Sequence, residues 1–259
     1  MTAREIPASE VTVLHEKRHH HALVIPVINE GERIRRQLAR IAAINPAADI
    51  IIADGGSTDG SLALDALRAT GCRALLVKTG PGRLSAQLRM AYAWALDQGY
   101  AGVITIDGNG KDGVEAIDTF VAALNAGCDY VQGSRYIAGA KAINTPFDRR
   151  IAGRLIHAPL LSLAGRRRYT DTTNGFRAYS ARYLNDPRVA PFRDVFERYE
   201  LLFYLTVRAG QLGYRTSEIP VTRAYPESEK TPTKIAGFSG RIEMLKALLA
   251  VALGRFNPR

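Results

Sequence analysis

The sequence predicts an α/β fold: a single domain built on one twisted, mainly parallel sheet, flanked by helices and followed by a C-terminal helical elaboration. Short apolar runs alternate with amphipathic stretches through the first half of the chain, which is typical of βαβ units. The 259 residues are 46% hydrophobic and 23% charged, so the chain can bury a sizeable core. No Pro/Gly-rich linker or internal repeat divides it, which favours one domain over several.

The first half of the chain supplies most of the predicted sheet. Apolar runs, mostly rich in β-branched residues, predict buried strands at 21–28, 49–53, 73–77, 102–106 and 129–132. Helix-like segments lie between them at 30–43, 58–70, 84–98 and 113–126. Ser57, Thr58 and Asp59 are good N-cap residues for the second helix, and Gly71 follows its end.

The alternation stops after about residue 134. Residues 134–146 are loop-like, and 171–180 is an irregular stretch. Helices are predicted at 150–164, 195–209 and 235–253, with one more strand at 214–221.

The charge balance is strongly basic. Lys and Arg number 35 against 25 Asp and Glu, which gives a net charge of +10 and a pI of about 9.8. This balance favours an anionic partner, and nucleic acid, an anionic membrane and a phosphorylated small substrate all satisfy it. The two cysteines have no CxxC spacing, so we expect reduced thiols in a cytosolic protein. The N-terminus lacks the apolar core of a signal peptide, and no apolar run reaches the roughly 18–20 residues that span a bilayer.

In parallel sheets, ligands bind outside the carboxyl ends of the strands, so polar residues that follow strands are the candidate site. Three clusters qualify: Asn29 with Glu30, DGGSTDG at 54–60, and DGNGKD at 107–112. Asp54 can accept hydrogen bonds from a base or ribose, and the glycines after it allow close backbone approach. A plain strand-to-helix turn explains the same residues equally well. The glycine spacing matches neither the dinucleotide-binding fingerprint nor the P-loop.

The third cluster offers a carboxylate at Asp107 and an amide oxygen at Asn109. Both could face one Mg²⁺ or Mn²⁺ ion that holds a diphosphate, because these ions favour oxygen ligands and share their shell with phosphates and water. An Asn-Gly or Asp-Gly turn is the alternative. The position directly after a buried strand, at the ligand edge of the sheet, favours the metal site.

Five motifs in this order resemble family 2 glycosyltransferases, particularly the branch that includes dolichol-phosphate mannose synthases. The motifs are VIPVINE (24–30), IIADGGSTDGS (51–61), TIDGNGKD (105–112), QGSRY (132–136) and DTTNGFRAYS (171–180). The resemblance covers roughly residues 22–225. It implies a GT-A fold and an inverting transfer of a sugar from a nucleoside diphosphate sugar.

The resemblance also assigns roles to residues. Pro26, Glu30 and Asp54 match positions that hold the nucleoside, and Asp107 matches the first aspartate of the metal motif. Arg135 in QGSRY matches an arginine that faces the phosphates, and Glu200 falls where those enzymes have a glutamate in a similar helix. The expected catalytic residues are Asp107, Arg135 and Glu200, and the expected metal ligands are Asp107 and Asn109.

Two departures from the family pattern bear on the chemistry. Gly55 replaces the second aspartate of the family's DDGS turn, and Asn109 replaces the second aspartate of the metal motif. Asn109 keeps an oxygen donor but lacks a negative charge, which weakens metal binding. Lys111 stands where the polyprenyl-phosphate enzymes tend to have glutamine, and it could replace a metal contact or put a cation near the diphosphate.

Two further cations are candidates for donor binding. Arg83 follows the third strand, between glycines that allow it to approach the diphosphate; a solvated arginine near a helix N-terminus is the alternative. Lys234, with Lys230, lies in a segment that could close over the donor as a lid or simply connect two elements. The expected division is a glycosyltransferase domain at 1–225, with a donor-binding half at 22–133 and an acceptor half at 134–225. A lid-like loop and an amphipathic helix follow at 226–259.

The acceptor decides whether a general base is needed. A sugar hydroxyl must lose its proton, and Asp171, Glu197 and Glu200 are the candidate bases. A phosphate monoester, with a second pKa of about 6, is already anionic. Arginines are frequent between 135 and 168, which favours a phosphate contact, although a solvated face is the commoner role of such a run. Apolar stretches at 155–163 and 244–256 could rest on an anionic membrane or pack against the domain.

The sequence thus predicts a cytoplasmic or membrane-peripheral inverting glycosyltransferase that uses a nucleotide sugar and Mg²⁺ or Mn²⁺, with a polyprenyl phosphate as one possible acceptor. A nucleotidyltransferase acting on a sugar phosphate is the alternative, because such enzymes also combine an α/β sheet with metal carboxylates. A basic nucleic-acid-binding module is a third reading, but no nucleic-acid-binding motif accompanies the charge, so we expect no nucleic-acid partner.

Overall fold

The computed structural model describes residues 4–226 and 237–258. The strands are β1 (Ser9–Val13), β2 (His21–Val27), β3 (Ala48–Asp54), β4 (Cys72–Lys78), β5 (Gly102–Thr105), β6 (Tyr130–Ser134), β7 (Lys141–Ile143), β8 (Arg177–Ser180), β9 (Thr216–Pro220) and β10 (Thr222–Ala224). The helices are α1 (Glu32–Ile44), α2 (Leu64–Ala69), α3 (Leu84–Asp97), α4 (Ile117–Asn125), α5 (Phe147–Ile151), α6 (Ala158–Ala164), α7 (Ala181–Leu184), α8 (Glu200–Gln211) and α9 (Gly237–Ala252). A π-helical segment at 152–157 joins α5 to α6.

Within residues 4–226, eight strands form one sheet in the order β1-β4-β3-β2-β5-β8-β6-β9. β2 pairs in parallel with β3 and β5, β3 pairs in parallel with β4, and β6 pairs in parallel with β9. β1 and β8 run antiparallel to their neighbours. The predicted α/β class and mainly parallel sheet are therefore confirmed, and the carboxyl ends of β2, β3, β4 and β5 meet at one edge.

The central strands are buried on both faces. Val24 of β2 and Ile51 of β3 belong to the core beneath α3 and α8, whereas Leu23 and Ile52 belong to the core beneath α1 and α4. Successive side chains of a strand point to opposite faces, so a sheet covered on both faces needs apolar residues at consecutive positions. This explains why these strands are visible in the sequence as continuous apolar runs.

Three local predictions need correction. Helix α2 begins at Leu64, not at residue 58, and the residue before it is Ala63, which makes no side-chain cap. Ser57 and Asp59 instead stabilise the loop before α2. The Ser57 hydroxyl accepts the Asn29 N–H, and the Asp59 carboxylate accepts hydrogen bonds from Ser61 and from the Gly31 N–H.

The stretch at 171–180 ends in β8, which lies between β5 and β6 and is too short for its periodicity to be read. Strand β1, a mostly exposed edge strand, was not predicted.

A small second sheet joins distant parts of the chain. β7 and β10 pair in parallel, with Lys141 opposite Thr222. The backbone of β10 also bonds to the loop after β5, because the Gly113 N–H donates to Thr222 O (2.9 Å) and the Ala224 N–H donates to Lys111 O (2.9 Å). This sheet therefore ties the predicted metal motif to the segment that leads into α5.

Candidate active site

A cavity of about 470 Å³ lies at the carboxyl ends of β2, β3, β4 and β5. Five of the predicted site residues line it: Pro26, Glu30, Arg83, Asp107 and Asn109. Its wall also carries the cationic residues Arg33, Lys78, Lys111, Arg149 and Arg223. A pocket with this many cationic groups suits an anionic ligand such as a diphosphate.

The loops after β2 and β3 are tied to each other at one end of the cavity. The Asn29 side-chain oxygen accepts the Thr58 N–H at 2.8 Å, and the Asn29 N–H donates to the Ser57 hydroxyl at 3.0 Å. Asn29 has a positive φ of 50°, a conformation that asparagine tolerates better than most residues. Beside it, Glu30 lies 3.4 Å from an Arg33 guanidinium nitrogen. The predicted nucleoside-binding end is thus held in shape by local hydrogen bonds.

Asp54 lies beneath this end of the cavity and is not part of its lining. Its side chain is buried, and its carboxylate accepts the Ser57 N–H (3.0 Å) and the Ser57 hydroxyl (2.6 Å). Asp54 therefore shapes the loop that carries Gly55, which does line the cavity. A direct contact between Asp54 and a nucleoside stays a prediction.

The start of α3 forms another side of the cavity. The Arg83 N–H donates to Glu197 O at 2.8 Å, which fixes the backbone that carries the Arg83 side chain. One turn later, the buried Gln87 amide donates to Val27 O at 2.9 Å and to Ala53 O. Gln87 therefore joins the ends of β2 and β3, and the sequence analysis did not single it out, although it is a polar residue in an otherwise apolar stretch.

The predicted metal motif faces the cavity. The Asp107 side chain is 28% exposed, and its Oδ2 lies 3.0 Å from Nη2 of Arg223. The Asn109 amide nitrogen is 3.4 Å from the same carboxylate oxygen, and the Asn109 amide oxygen accepts the Lys111 N–H at 3.2 Å. A Cβ at Gly175 would lie 2.3 Å from Asp107 Oδ1, so the glycine of the NGF sequence leaves room for this carboxylate.

The donor set around Asp107 fits a divalent ion only in part. Among residues 4–226 and 237–258, no three His, Cys, Asp or Glu side chains come together as a metal site. Asp107 supplies one carboxylate and Asn109 one amide oxygen, so most of the coordination shell would have to come from ligand phosphates and water. Mg²⁺ and Mn²⁺ accept such a shell. The residues therefore fit an ion that binds together with a diphosphate.

Cations surround the Tyr225 ring next to Asp107. Lys111 Nζ lies 5.1 Å from the ring centroid, and the guanidinium carbons of Arg149 and Arg223 each lie 5.8 Å from it. Burial and the charge of Arg223 lower the pKa of Lys111. Burial alone would raise the pKa of Tyr225, but Arg223 and Arg135 lower it below its ordinary value. Both shifts reflect the positive charge of Arg223 close to Lys111 and Tyr225.

Arg135, the predicted phosphate-facing residue, is held in a buried ion pair. Its guanidinium contacts Asp171 at 2.6 and 2.9 Å and donates to the Thr173 hydroxyl at 2.6 Å, and neither charged side chain is more than 5% exposed. Burial by itself would raise the pKa of Asp171, but the bonds and charge of Arg135 hold it below its ordinary value. Arg135 is not part of the cavity lining, and its catalytic role stays a prediction.

The remaining predicted residues are less close to the cavity. Glu200 begins α8 and accepts the Arg198 N–H at 2.7 Å, while its neighbour Tyr199 is the residue that lines the cavity. Lys234 and Lys230 lie outside the described residues. Of the base candidates, Asp171 is taken by Arg135 and Glu197 is exposed. Arg223 was missed by the sequence analysis, because it lies in no recognisable motif.

Comparisons with known proteins identify the family of this chain. The family model "Glycosyl transferase family 2" matches residues 22–189. The chain is 28% identical over 227 residues to polyprenol monophosphomannose synthase of Mycolicibacterium smegmatis, covering 86% of this chain and 84% of the relative. It is 30% identical over 221 residues to undecaprenyl-phosphate mannosyltransferase of Micrococcus luteus, covering 83% and 86% respectively.

Solved structures show the same fold. Glucosyl-3-phosphoglycerate synthase from Mycobacterium tuberculosis, in complex with Mn²⁺, UDP and phosphoglyceric acid, superposes with a TM-score of 0.65 at 18% identity. The match covers 92% of this chain and 79% of that chain. At this identity the likeness establishes the GT-A-like architecture.

The family match and the two relatives define an enzyme that transfers sugars, and its fold is GT-A-like. The chain belongs to glycosyl transferase family 2. Membership decides in favour of glycosyl transfer over the nucleotidyl transfer and nucleic-acid binding that the sequence analysis also considered. None of the described helices is both long and apolar enough to cross a membrane.

Proposed function

We propose that this enzyme transfers a sugar from a nucleoside diphosphate sugar to a polyprenyl phosphate, with inversion at the anomeric carbon. The observation that carries the proposal is the cavity in which Pro26, Glu30, Arg83, Asp107 and Asn109 meet beside a wall of cationic side chains. The names of the two mannosyl-transferring relatives support the polyprenyl phosphate acceptor. In this proposal residues 22–133 bind the donor and residues 134–225 receive the acceptor.

The donor lies along the cavity with its nucleoside near Pro26 and Glu30 and its diphosphate toward Asp107. Asp54 acts on the nucleoside end through the loop that it shapes. Arg83 directly precedes α3 and Lys78 ends β4, and both line the cavity; in this proposal they contact the diphosphate. Arginine and lysine both suit this role because phosphate oxygens accept several hydrogen bonds at once.

Asp107 and Asn109 would hold Mg²⁺ or Mn²⁺ together with the donor diphosphate. When bound, the ion supplies Lewis-acid stabilisation of the charge that develops on the leaving diphosphate. Mn²⁺ in the similar glucosyl-3-phosphoglycerate synthase structure supports this assignment. Arg223 and Lys111 add fixed positive charge at the same place, and such preorganised charge is a large contribution to catalysis.

The acceptor phosphate needs no general base. One of its oxygens forms a bond to the anomeric carbon while the bond from that carbon to the diphosphate breaks, and no proton has to leave the nucleophile at neutral pH. Two features support this case over a hydroxyl acceptor: Asp171 is occupied by Arg135, and Arg149 lines the cavity at the start of α5.

The surface next to Arg149 suits contact with a membrane that carries the lipid acceptor. Phe147, Leu155 and Leu163 are 76%, 70% and 80% exposed, and the exposed cations Arg150 and Arg154 lie among them. Apolar side chains interspersed with basic ones bind anionic bilayers peripherally. We expect Leu155→Ser to reduce co-sedimentation with anionic vesicles by several fold, whereas Leu64→Ser, at an exposed leucine of α2, leaves it unchanged.

A donor panel tests the proposed reaction. Purified enzyme is given UDP-, GDP-, ADP-, CDP- and dTDP-sugars with Mn²⁺, with and without a polyprenyl phosphate, and release of nucleoside diphosphate is measured. We expect release from one donor only when the lipid phosphate is present, and a loss of at least about 100-fold for Asp107→Ala. The control is Asp65→Ala, an exposed aspartate on α2. Release that requires a soluble sugar acceptor instead contradicts the acceptor assignment, and release of pyrophosphate contradicts the reaction class.

A further inference from the structure

Arg223 bridges two carboxylates at the edge of the cavity. Its Nη1 lies 2.5 Å from Asp112 Oδ2, and its Nη2 lies 3.0 Å from Asp107 Oδ2. The Asp112 side chain is fully buried and that of Arg223 is 9% exposed, whereas Asp107 faces the cavity. Asp112 Oδ1 accepts no hydrogen bond within the described residues, so Arg223 is the main partner of this carboxylate.

The backbone holds Asp112 and Arg223 together. Asp112 and Arg223 form a β-bridge, and hydrogen bonds on either side of it join Gly113 to Thr222 and Ala224 to Lys111. Arg223 is therefore fixed by its strand and by the Asp112 carboxylate, and its free edge is directed at Asp107. Burial and the charge of Asp107 raise the pKa of Asp112, but the carboxylates keep the pKa of Arg223 well above its ordinary value, so the guanidinium stays charged.

The charges of this cluster nearly cancel. Asp107 and Asp112 carry two negative charges, and Arg223 and Lys111 carry two positive ones. The carboxylate missing at position 109 of the metal motif thus has a counterpart at position 112, but that counterpart contacts Arg223 and not the cavity. Arg223 therefore divides its positive charge between Asp112 and Asp107.

We propose that Asp112 is a positioning residue that acts through Arg223. The negative charge of the donor diphosphate is neutralised partly by a divalent ion and partly by side chains of this chain. Asp112 favours the share of the ion, and Lys111 favours the share of the side chains. This inference rests on the proposed nucleotide-sugar donor. Removing the Asp112 charge shifts Arg223 toward Asp107. The metal ion then binds more weakly, and an anion without a metal ion binds more tightly. Removing the Lys111 charge does the reverse.

Titration calorimetry on the full chain tests the division. Two constants are measured for each variant: the affinity for pyrophosphate in EDTA, and the affinity for Mn²⁺ alone. For Asp112→Asn we expect pyrophosphate to bind about five- to tenfold more tightly and Mn²⁺ about five- to tenfold more weakly, as one unit charge within about 7 Å produces at a high effective dielectric constant. For Lys111→Gln we expect the reverse: pyrophosphate binds more weakly and Mn²⁺ binds more tightly. The affinities of the wild-type chain for UDP and for GDP in the presence of Mn²⁺ are measured as well, to test whether the site binds a nucleoside diphosphate.

The controls are matched in chemistry and placed elsewhere. Asp129→Asn removes a buried carboxylate that pairs with Arg182, and Lys246→Gln removes an exposed lysine of α9; neither residue lines the cavity. We expect neither control to move either constant. A purely structural role of Asp112 would weaken both constants together, and that result overturns the inference, as does a Lys111→Gln variant that fails to mirror the first. If wild-type enzyme with Mn²⁺ binds no nucleoside diphosphate, the proposed donor itself is wrong.

Discussion

Two buried arginine–aspartate pairs have their arginine in the segment expected to receive the acceptor, residues 134–225, and they differ in what their guanidinium groups can reach. The Arg135 guanidinium donates hydrogen bonds to Asp171 and Thr173, and Arg135 lies outside the cavity lining. Arg223 divides its donors between Asp112 and Asp107 and lies on the cavity wall. The first pair is closed, whereas the second keeps one edge directed at the predicted metal ligand.

This difference shows that a motif and a geometry can point to different arginines. Arg135 lies in QGSRY, a sequence that attracts attention, and Arg223 lies in a three-residue strand without a recognisable motif. A buried ion pair is by itself weak support for stability or for function, because desolvation offsets much of the attraction. What distinguishes Arg223 is its access to the cavity.

The largest expected effect is on the open pair. We expect Arg223→Lys to lower kcat/KM by about 100-fold, since an ammonium keeps the charge but cannot contact two carboxylates and a phosphate at once. Glycosyl transfer under saturating Mn²⁺ is the measurement. Arg182→Lys, which alters an arginine paired with Asp129 away from the cavity, is the control and should retain activity. Equal losses in both variants would show that the access of Arg223 to the cavity is not what makes it important.

We expect the closed pair, Arg135 with Asp171, to affect the stability of the fold more than catalysis. Arg135→Ala leaves the Asp171 carboxylate buried without its partner, and we expect a loss of about 3–5 kcal/mol in the free energy of unfolding. Urea denaturation measures this loss, and kcat is compared per folded molecule. Unchanged stability combined with a collapsed kcat would instead place Arg135 at the phosphates, as the sequence motif predicts.

The closed pair also has a defined pH dependence. The folded-state pKa of Asp171 lies below its ordinary value of 3.8, so its contribution to stability is complete above about pH 4 and is lost as the pH falls through the folded-state value. We expect the difference in Tm between wild type and Asp171→Asn to be constant from about pH 5 to 7 and to shrink below about pH 4. Thermal melts across this range test it, and a difference that grows toward acid pH would contradict the pairing.

An exposed ion pair should have the smallest effect on the free energy of unfolding. Arg4 lies 2.6 Å from Asp97, and the side chains are 25% and 63% exposed. Solvent screens such a contact, so Asp97→Asn should change the free energy of unfolding by about 0–1 kcal/mol. The same denaturation assay measures the change, and a larger effect would show that burial is not what separates the pairs.

The sequence was most informative where burial acts on many consecutive residues. β2 to β6 and α1, α3 and α4 lie within a few residues of their predicted positions, because strands covered on both faces need unbroken apolar runs. Glu30 and the metal motif were found because each follows such a strand, whereas Pro26, which lies within β2, was assigned through the family resemblance.

Elements defined by long-range contacts escaped the sequence analysis. β8 owes its strand conformation to pairing with β5 and β6, and β10 to pairing with β7, and neither is long enough to show a period. Arg223 and Gln87 have no motif because their roles depend on which distant groups they meet. Ser57 and Asp59 were misassigned as helix caps because side chains that cap a helix can equally well stabilise a loop.

Gly175 shows that a residue without a side chain can be as selective as one that reacts. It has no positive φ and no chemical group, yet any Cβ at this position would meet Asp107 Oδ1 at 2.3 Å. Even alanine would push that carboxylate away from its present place beside Arg223 and the cavity. In a saturation-mutagenesis library selected for sugar transfer, position 175 should therefore tolerate as few substitutions as position 107.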